Sequence, residues 1–181
     1  MPRAPWASMQ HARPRSWPDA RALALAFAAV AALAAAPSLA EFTGRVVSVA
    51  DGDTLTVRDG NRDVHVRLWG IDAPERGQPW SKRSREALAA RVLRRDVTVE
   101  ERGKDSYGRI LARVRVEGAD VADAQVRDGW AWVFRRYTDD AALMAFEAEA
   151  RAARRGLWAS PDPEPPWRYR ERVRSAGAVA R

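Results

Sequence analysis

Between Thr43 and Val116 the chain is cut by turn-forming residues into short runs of alternating character, a pattern that few architectures accept. Val64, Val66 and Leu68 alternate with His65 and Arg67, as in a strand with one buried face. Within Arg109 to Val116, Ile110, Ala112, Val114 and Val116 face one way, and Arg109, Leu111, Arg113 and Arg115 face the other. Thr43 to Val57 alternates loosely, with Val47, Val49, Leu55 and Val57 expected on one face. Asp51-Gly52 divides that stretch and Asp59-Gly60-Asn61 follows it, both strong turn signals. Val97-Thr98-Val99 supplies a further short strand, and Trp130 to Phe134 a short extended segment. Helical spacing appears in Ser84 to Arg95 and in Ala119 to Asp128, which Gly129 closes. It appears again in Asp139 to Arg155, where Leu143, Phe146, Ala150, Ala153 and Leu157 recur before Gly156. Five short strands, interrupted and followed by about three helices, predict an α+β chain built on a small closed β-barrel.

The chain has 181 residues, which points to one domain with extensions. Arg13, Arg15 and Arg21 lead into the apolar run Ala22 to Ala36, and Pro37-Ser38-Leu39-Ala40 follows. A basic region, a short apolar run and a small-x-small ending predict a secretory signal over 1–40, cut after Ala40. The run falls short of the roughly 20 residues that a membrane span needs. An uncut tether is the other reading of the same segment, and translation can start at Met1 or Met9. The expected domain covers 41–160. A Pro-rich stretch, Pro161 to Pro166, then begins a C-terminal tail over 161–181 and is expected to lack regular structure. Trp167 to Arg174 is basic and aromatic, so it either braces the barrel through Trp167 or contacts nucleic acid.

The formal charge is +7, of which four Arg and one Asp in the first 40 residues account for +3. The remaining +4 suits a polyanionic partner, although charge alone favours the plainer reading of solubility. The absence of cysteine and the single histidine beyond the leader, His65, exclude zinc sites and Cys-His pairs. No Gly-rich phosphate loop with a following lysine occurs, and a serine hydrolase would lack its base.

Three short stretches remain as candidates for chemistry. They are Asp51-Gly52-Asp53-Thr54, Arg67-Leu68-Trp69-Gly70-Ile71-Asp72-Ala73-Pro74-Glu75 and Asp105-Ser106-Tyr107-Gly108-Arg109. Asp53, Asp72 and Glu75 offer the oxygen ligands that hard cations such as calcium or magnesium take. Arg67 and Arg109 offer guanidinium forks that match phosphate oxygens two at a time. The plain readings stand beside these. Asp51-Gly52 can be a hairpin turn, Asp72 and Glu75 a solvated loop, the arginines exposed basic residues, and Tyr107 a core residue. Trp69, Trp130 and Trp132 read as packing residues.

With those motifs in that order, the chain from about Thr43 to Trp158 resembles the thermonuclease, or micrococcal nuclease-like, family of secreted calcium-dependent nucleases. The resemblance implies an oligonucleotide-binding (OB) barrel. It implies Ca2+ held by Asp53, Asp72 and the main-chain carbonyl of Ala73, where well-known members carry threonine, with Asp51 in the outer shell. It implies Glu75 as general base, Arg67 and Arg109 on the scissile phosphate, and Tyr107 and Tyr137 against the nucleotide. Ser106 and Arg135 depart from residues that some members carry there. The implied activity is cleavage of DNA and RNA to 3′-phosphate and 5′-hydroxyl ends, by a monomer with no stable protein partner and, once the leader is cut, no membrane attachment. Secretion or the periplasm is the implied location. The rival is a non-catalytic module of the same fold that only binds nucleic acid or protein; the presence of Asp53, Arg67, Asp72, Glu75 and Arg109 together argues against it.

Overall fold

The computed structural model describes residues 40–179, so the leader segment before Ala40 lies outside the described residues. Three strands, β1 (Glu41–Val49), β2 (Thr54–Asp59) and β3 (Arg62–Leu68), form an antiparallel meander through the two turns expected from Asp51-Gly52 and Asp59-Gly60-Asn61. A two-residue strand, β4 (Ile71–Asp72), leads to helix α1 (Ser81–Val92). The chain then returns as β5 (Asp96–Lys104) and β6 (Ile110–Val116). β5 pairs with β1 and β6 with β5, both antiparallel, and β6 pairs with β3 in parallel through Val66 with Ile110, Arg67 with Leu111 and Leu68 with Ala112. That parallel pairing closes a five-stranded barrel, leaving few strand edges exposed, the OB-type architecture.

The remaining elements pack on the barrel. They are β7 (Ala119–Asp120), α2 (Val121–Arg127), β8 (Trp132–Val133), α3 (Ala141–Ala152), a 3-10 turn (Gly156–Ala159) and α4 (Pro166–Val179). β8 pairs with β4. Asp120 and Asp140 start α2 and α3 by accepting hydrogen bonds from the first free amides of each helix. Gly129 has φ +74°, and a Cβ there would lie 2.2 Å from the Arg155 carbonyl oxygen. Only glycine therefore lets the end of α2 meet the end of α3 backbone to backbone. Among the described residues no helix is long and apolar enough to cross a membrane.

The barrel interior is filled by the predicted strand faces: Leu55, Val57, Val66, Leu68, Val97, Val99, Ala112 and Val114 are all buried. In β1 the expected face holds for Val49, which packs against the core, and fails for Val47. Val46 is 1% exposed and Val47 is 37% exposed, because the β1–β2 register shifts between Val46 and Ser48. The extra residue at the bulge puts Val46 and Val49 on the inner side and Val47 outside, which simple alternation cannot anticipate. In the tail, Pro161 to Pro165 lack regular structure as expected, and the helix that follows them is a second correction. Pro166 opens a 14-residue helix, consistent with the preference of proline for the first helical turn. With it the helices among the described residues number four, against the expected three or so. Trp167 of α4 stacks on Phe134 at 5.6 Å and 16°, and joins a smaller apolar cluster of Trp132, Ala150, Leu157 and Trp158.

Candidate active site

Strand register brings the acidic and basic motifs together. Arg67 lies opposite Thr54 across the β2–β3 pair, beside Asp53. The turn before Asp53 is pressed onto α1: a Cβ on Gly52 would lie 1.8 Å from Ser84 Oγ and 2.8 Å from Ala73 Cβ. The buried Gln125 side chain of α2 donates to the Gly52 carbonyl at 2.8 Å. Asp53 is thereby driven inward to 2% exposure, and Asp72 at the end of β4 is fully buried.

Arg67 joins the two. Its Nη1 donates to Asp53 Oδ1 at 2.9 Å and its Nη2 to Asp72 Oδ1 at 2.7 Å. Asp53 Oδ1 also accepts from the Thr54 hydroxyl at 2.9 Å, and Oδ2 from the Ala73 amide at 2.7 Å. Burial pushes the Asp53 carboxyl up to about 7 against the pull of Arg67, with Asp51 adding to the rise. Burial also raises Asp72, and the charge of Asp53 adds to it, although Arg170 and Arg67 oppose the change. Both carboxylates therefore sit where a further positive charge would be favourable.

The sequence did not single out Arg170. This α4 residue donates to Asp72 Oδ1 at 3.1 Å and Oδ2 at 2.8 Å, and to Glu75 Oε1 at 2.5 Å. The basic, aromatic character of Trp167 to Arg174 was the available signal, but it carried no address. Glu75 follows Pro74 in the loop after β4, where its amide donates to the Gln78 side chain at 3.0 Å. Its carboxylate turns toward Arg170.

Arg109 stands apart from that group. Asp105 holds it at 2.7 Å through Nε, and Nη1 reaches the Thr54 hydroxyl at 3.3 Å. Asp105 also accepts the amides of Tyr107 and Arg109, so one carboxylate builds the whole turn. Tyr107 is 84% exposed, which removes the core reading, and its ring lies 5.5 Å from the Arg109 guanidinium carbon. Tyr137 is half exposed and packs edge-on against Phe134. Asp53, Arg67, Glu75, Tyr107, Arg109, Tyr137 and Arg170 line one cleft of about 790 Å³, with Lys104, Arg136, Trp167 and Arg174 completing its wall; Asp72 is fully buried behind its partners Arg67 and Arg170 and does not line it.

The donor set fits a hard divalent cation. A carboxylate oxygen has two acceptor positions. Oδ1 of Asp53 and Oδ1 of Asp72 each use both, whereas Oδ2 of each accepts one hydrogen bond and keeps one position. These are oxygen donors of the kind calcium and magnesium take. Among the described residues no three side chains of His, Cys, Asp or Glu gather into a ready-made metal cluster. Arg170 holds both Asp72 and Glu75, so the three carboxylates are not gathered around one common point.

Residues 65–160 match the family described as "Staphylococcal nuclease homologue". An Escherichia coli protein called an uncharacterized endonuclease is 43% identical over 134 residues, 74% of this chain and 88% of that protein. A Shigella flexneri micrococcal nuclease is 37% identical over 166 residues, 86% of this chain and 95% of that protein. Protein ParB of Escherichia coli is 41% identical over 161 residues, 82% of this chain and 91% of that protein.

Proposed function

The chain belongs to the staphylococcal nuclease homologue family, and from that premise we propose that it is a calcium-dependent endonuclease hydrolysing the phosphodiester bonds of DNA and RNA. The observation that carries this reading is Arg67 lodged between the buried carboxylates Asp53 and Asp72, with Arg109 on the same basic cleft. Asp53, Asp72 and the main-chain carbonyl of Ala73 would hold the cation. When bound, it supplies Lewis-acid polarisation of a phosphoryl oxygen.

The side chains do the rest. Glu75 takes a proton from the water that attacks phosphorus in line, forming the new P–O bond. The bond from phosphorus to the 5′ oxygen breaks with its electron pair, and that oxygen takes a proton from solvent. The products are a 3′-phosphate and a 5′-hydroxyl. Arg67 and Arg109 meet negative charge that grows on the phosphoryl oxygens only as the reaction proceeds, so they lower the barrier more than they tighten ground-state binding. Tyr107 and Tyr137 offer exposed faces to bases, and stacking of this kind contributes about 1–3 kcal/mol per base. Such contacts read neither base edges nor the 2′-hydroxyl, which supports action on both nucleic acids.

The same reading takes the protein to be an exported monomer whose leader is removed after Ala40. Mass spectrometry of the exported protein should then find Glu41 at its N-terminus, and an intact leader in the membrane fraction would count against it. The decisive assay uses purified protein with calcium, with magnesium and with excess chelator. Cleavage should require calcium, and full activity in chelator would rule the mechanism out.

A further inference from the structure

Arg170 is contributed from outside the barrel, yet it makes more contacts with the acidic groups of the cleft than any other arginine. It takes both oxygens of Asp72 and one of Glu75. Its backbone is firmly placed. Trp167, three residues earlier on α4, stacks on Phe134, the Gln78 side chain donates to the Glu164 carbonyl, and the Trp80 indole donates to Ser160 at 3.0 Å. The Arg170 side chain is 35% exposed and lines the cleft. Helix and loop thus hold the stem while leaving the charged end room to move.

A cation at the open position of Asp72 Oδ2 would sit directly beside this guanidinium. Two like charges would then share one carboxylate, so the Arg170–Asp72 pair and the cation oppose each other. A fork that matches two carboxylate oxygens matches two phosphate oxygens equally well. The phosphodiester backbone entering the cleft is the anion that can receive it. Arg174 lies one turn further along α4, lines the same cleft and makes no ion pair among the described residues.

We propose that Arg170 is a third phosphate-binding arginine, held on Asp72 and Glu75 in the cation-free protein and passed to the nucleic-acid backbone when cation binds. This rests on the nuclease reading above and adds a wall, α4, to the substrate groove. Linkage makes the opposition reciprocal, and coupling between neighbouring binding events typically amounts to about 5–150-fold in affinity.

The test uses the full exported chain and its Arg170→Ala variant. Calorimetric titration with calcium alone should show the variant binding at least about fivefold more tightly, since a competitor has been removed. Binding of a non-cleavable single-stranded oligonucleotide in saturating calcium should be weaker in the variant, and its log–log salt slope should fall by about 1. Arg170→Lys should keep part of the oligonucleotide affinity, having charge but no fork. Calcium affinity that is unchanged or weaker in Arg170→Ala would overturn the proposal, and so would unchanged oligonucleotide binding. If Arg170→Ala loses its fold by circular dichroism, Arg170→Gln gives the same two readings. A wild-type protein that binds no calcium and cleaves nothing would instead overturn the nuclease reading.

Discussion

At the caps of α2 and α3, Arg113 bridges Asp120 and Asp140; at the mouth of the barrel, Arg67 bridges Asp53 and Asp72. The residue types are the same, yet Asp140 and the two cleft carboxylates shift in opposite directions. Asp140 accepts the amides of Ala142 at 2.9 Å and Leu143 at 3.3 Å. Slight burial pushes its carboxyl up, but those amides and Arg113 outweigh it and hold Asp140 below the ordinary carboxylate value. In the cleft, deeper burial wins, and Asp53 and Asp72 rise. The caps are complete without a ligand, since helix amides supply what the carboxylate needs. The cleft holds its carboxylates away from water with positions still open, which is how a site is prepared for a cation and a phosphate.

Four measurements would break or sharpen that contrast. The largest effect is expected on turnover. Glu75→Gln and Arg109→Ala should each lower the rate by about two to three decades, or about 3–4 kcal/mol of barrier, with circular dichroism unchanged. The two losses should not add, because both groups act at one phosphorus centre. Arg113→Ala, at the caps, should leave the folded protein near wild-type turnover. Near-normal rates in either cleft variant would remove that residue from the chemistry.

Cation binding should show next, in stability. Calcium at about 100 times its dissociation constant should raise unfolding free energy by about 2.7 kcal/mol. Asp53→Asn should abolish most of that gain, whereas Asp140→Ala should retain it. Thermal unfolding with and without calcium compares them directly.

The pH response should separate the clusters by sign. Asp53 has a folded-state pKa raised from 3.8 to about 7, so the stability it contributes is present in acid and is lost as pH rises toward and through about 7. Asp140 is lowered, so its contribution is present above the unfolded value of 3.8 and disappears as pH falls below that. In chelator, melting curves from pH 4 to 8 should fall less steeply for Asp53→Asn than for wild type. Equal slopes would mean that burial does not govern Asp53.

The smallest effect belongs to a single cap. Asp140→Ala should cost about 1 kcal/mol of stability, as loss of a helix N-cap typically does, without altering calcium affinity. A fall in calcium affinity would show that the caps and the cleft are not independent.

Much of the barrel and the cleft motifs was legible along the chain. Period-two runs, Asp-Gly turns and glycines at helix ends depend on neighbouring residues, and those interactions operate before any tertiary contact exists. They marked the strands from Val64 to Leu68 and from Ile110 to Val116, whereas Asp53, Arg67, Asp72, Glu75 and Arg109 stood out by side-chain chemistry and by the resemblance to the thermonuclease family. The bulge in β1 escaped because register is settled between strands, and it turned Val46 inward instead of Val47. The tail escaped because helix formation beyond Pro166 is stabilised by Trp167 packing on Phe134, a contact 33 positions away in sequence. Arg170 lies 98 residues from Asp72 and 95 from Glu75. No local periodicity links positions so far apart. The sequence by itself determined which charged groups were available and which strands would carry them. Only the closed barrel, with α4 folded back across its mouth, decided which charge faces which, because burial and distance exist only once the chain has packed.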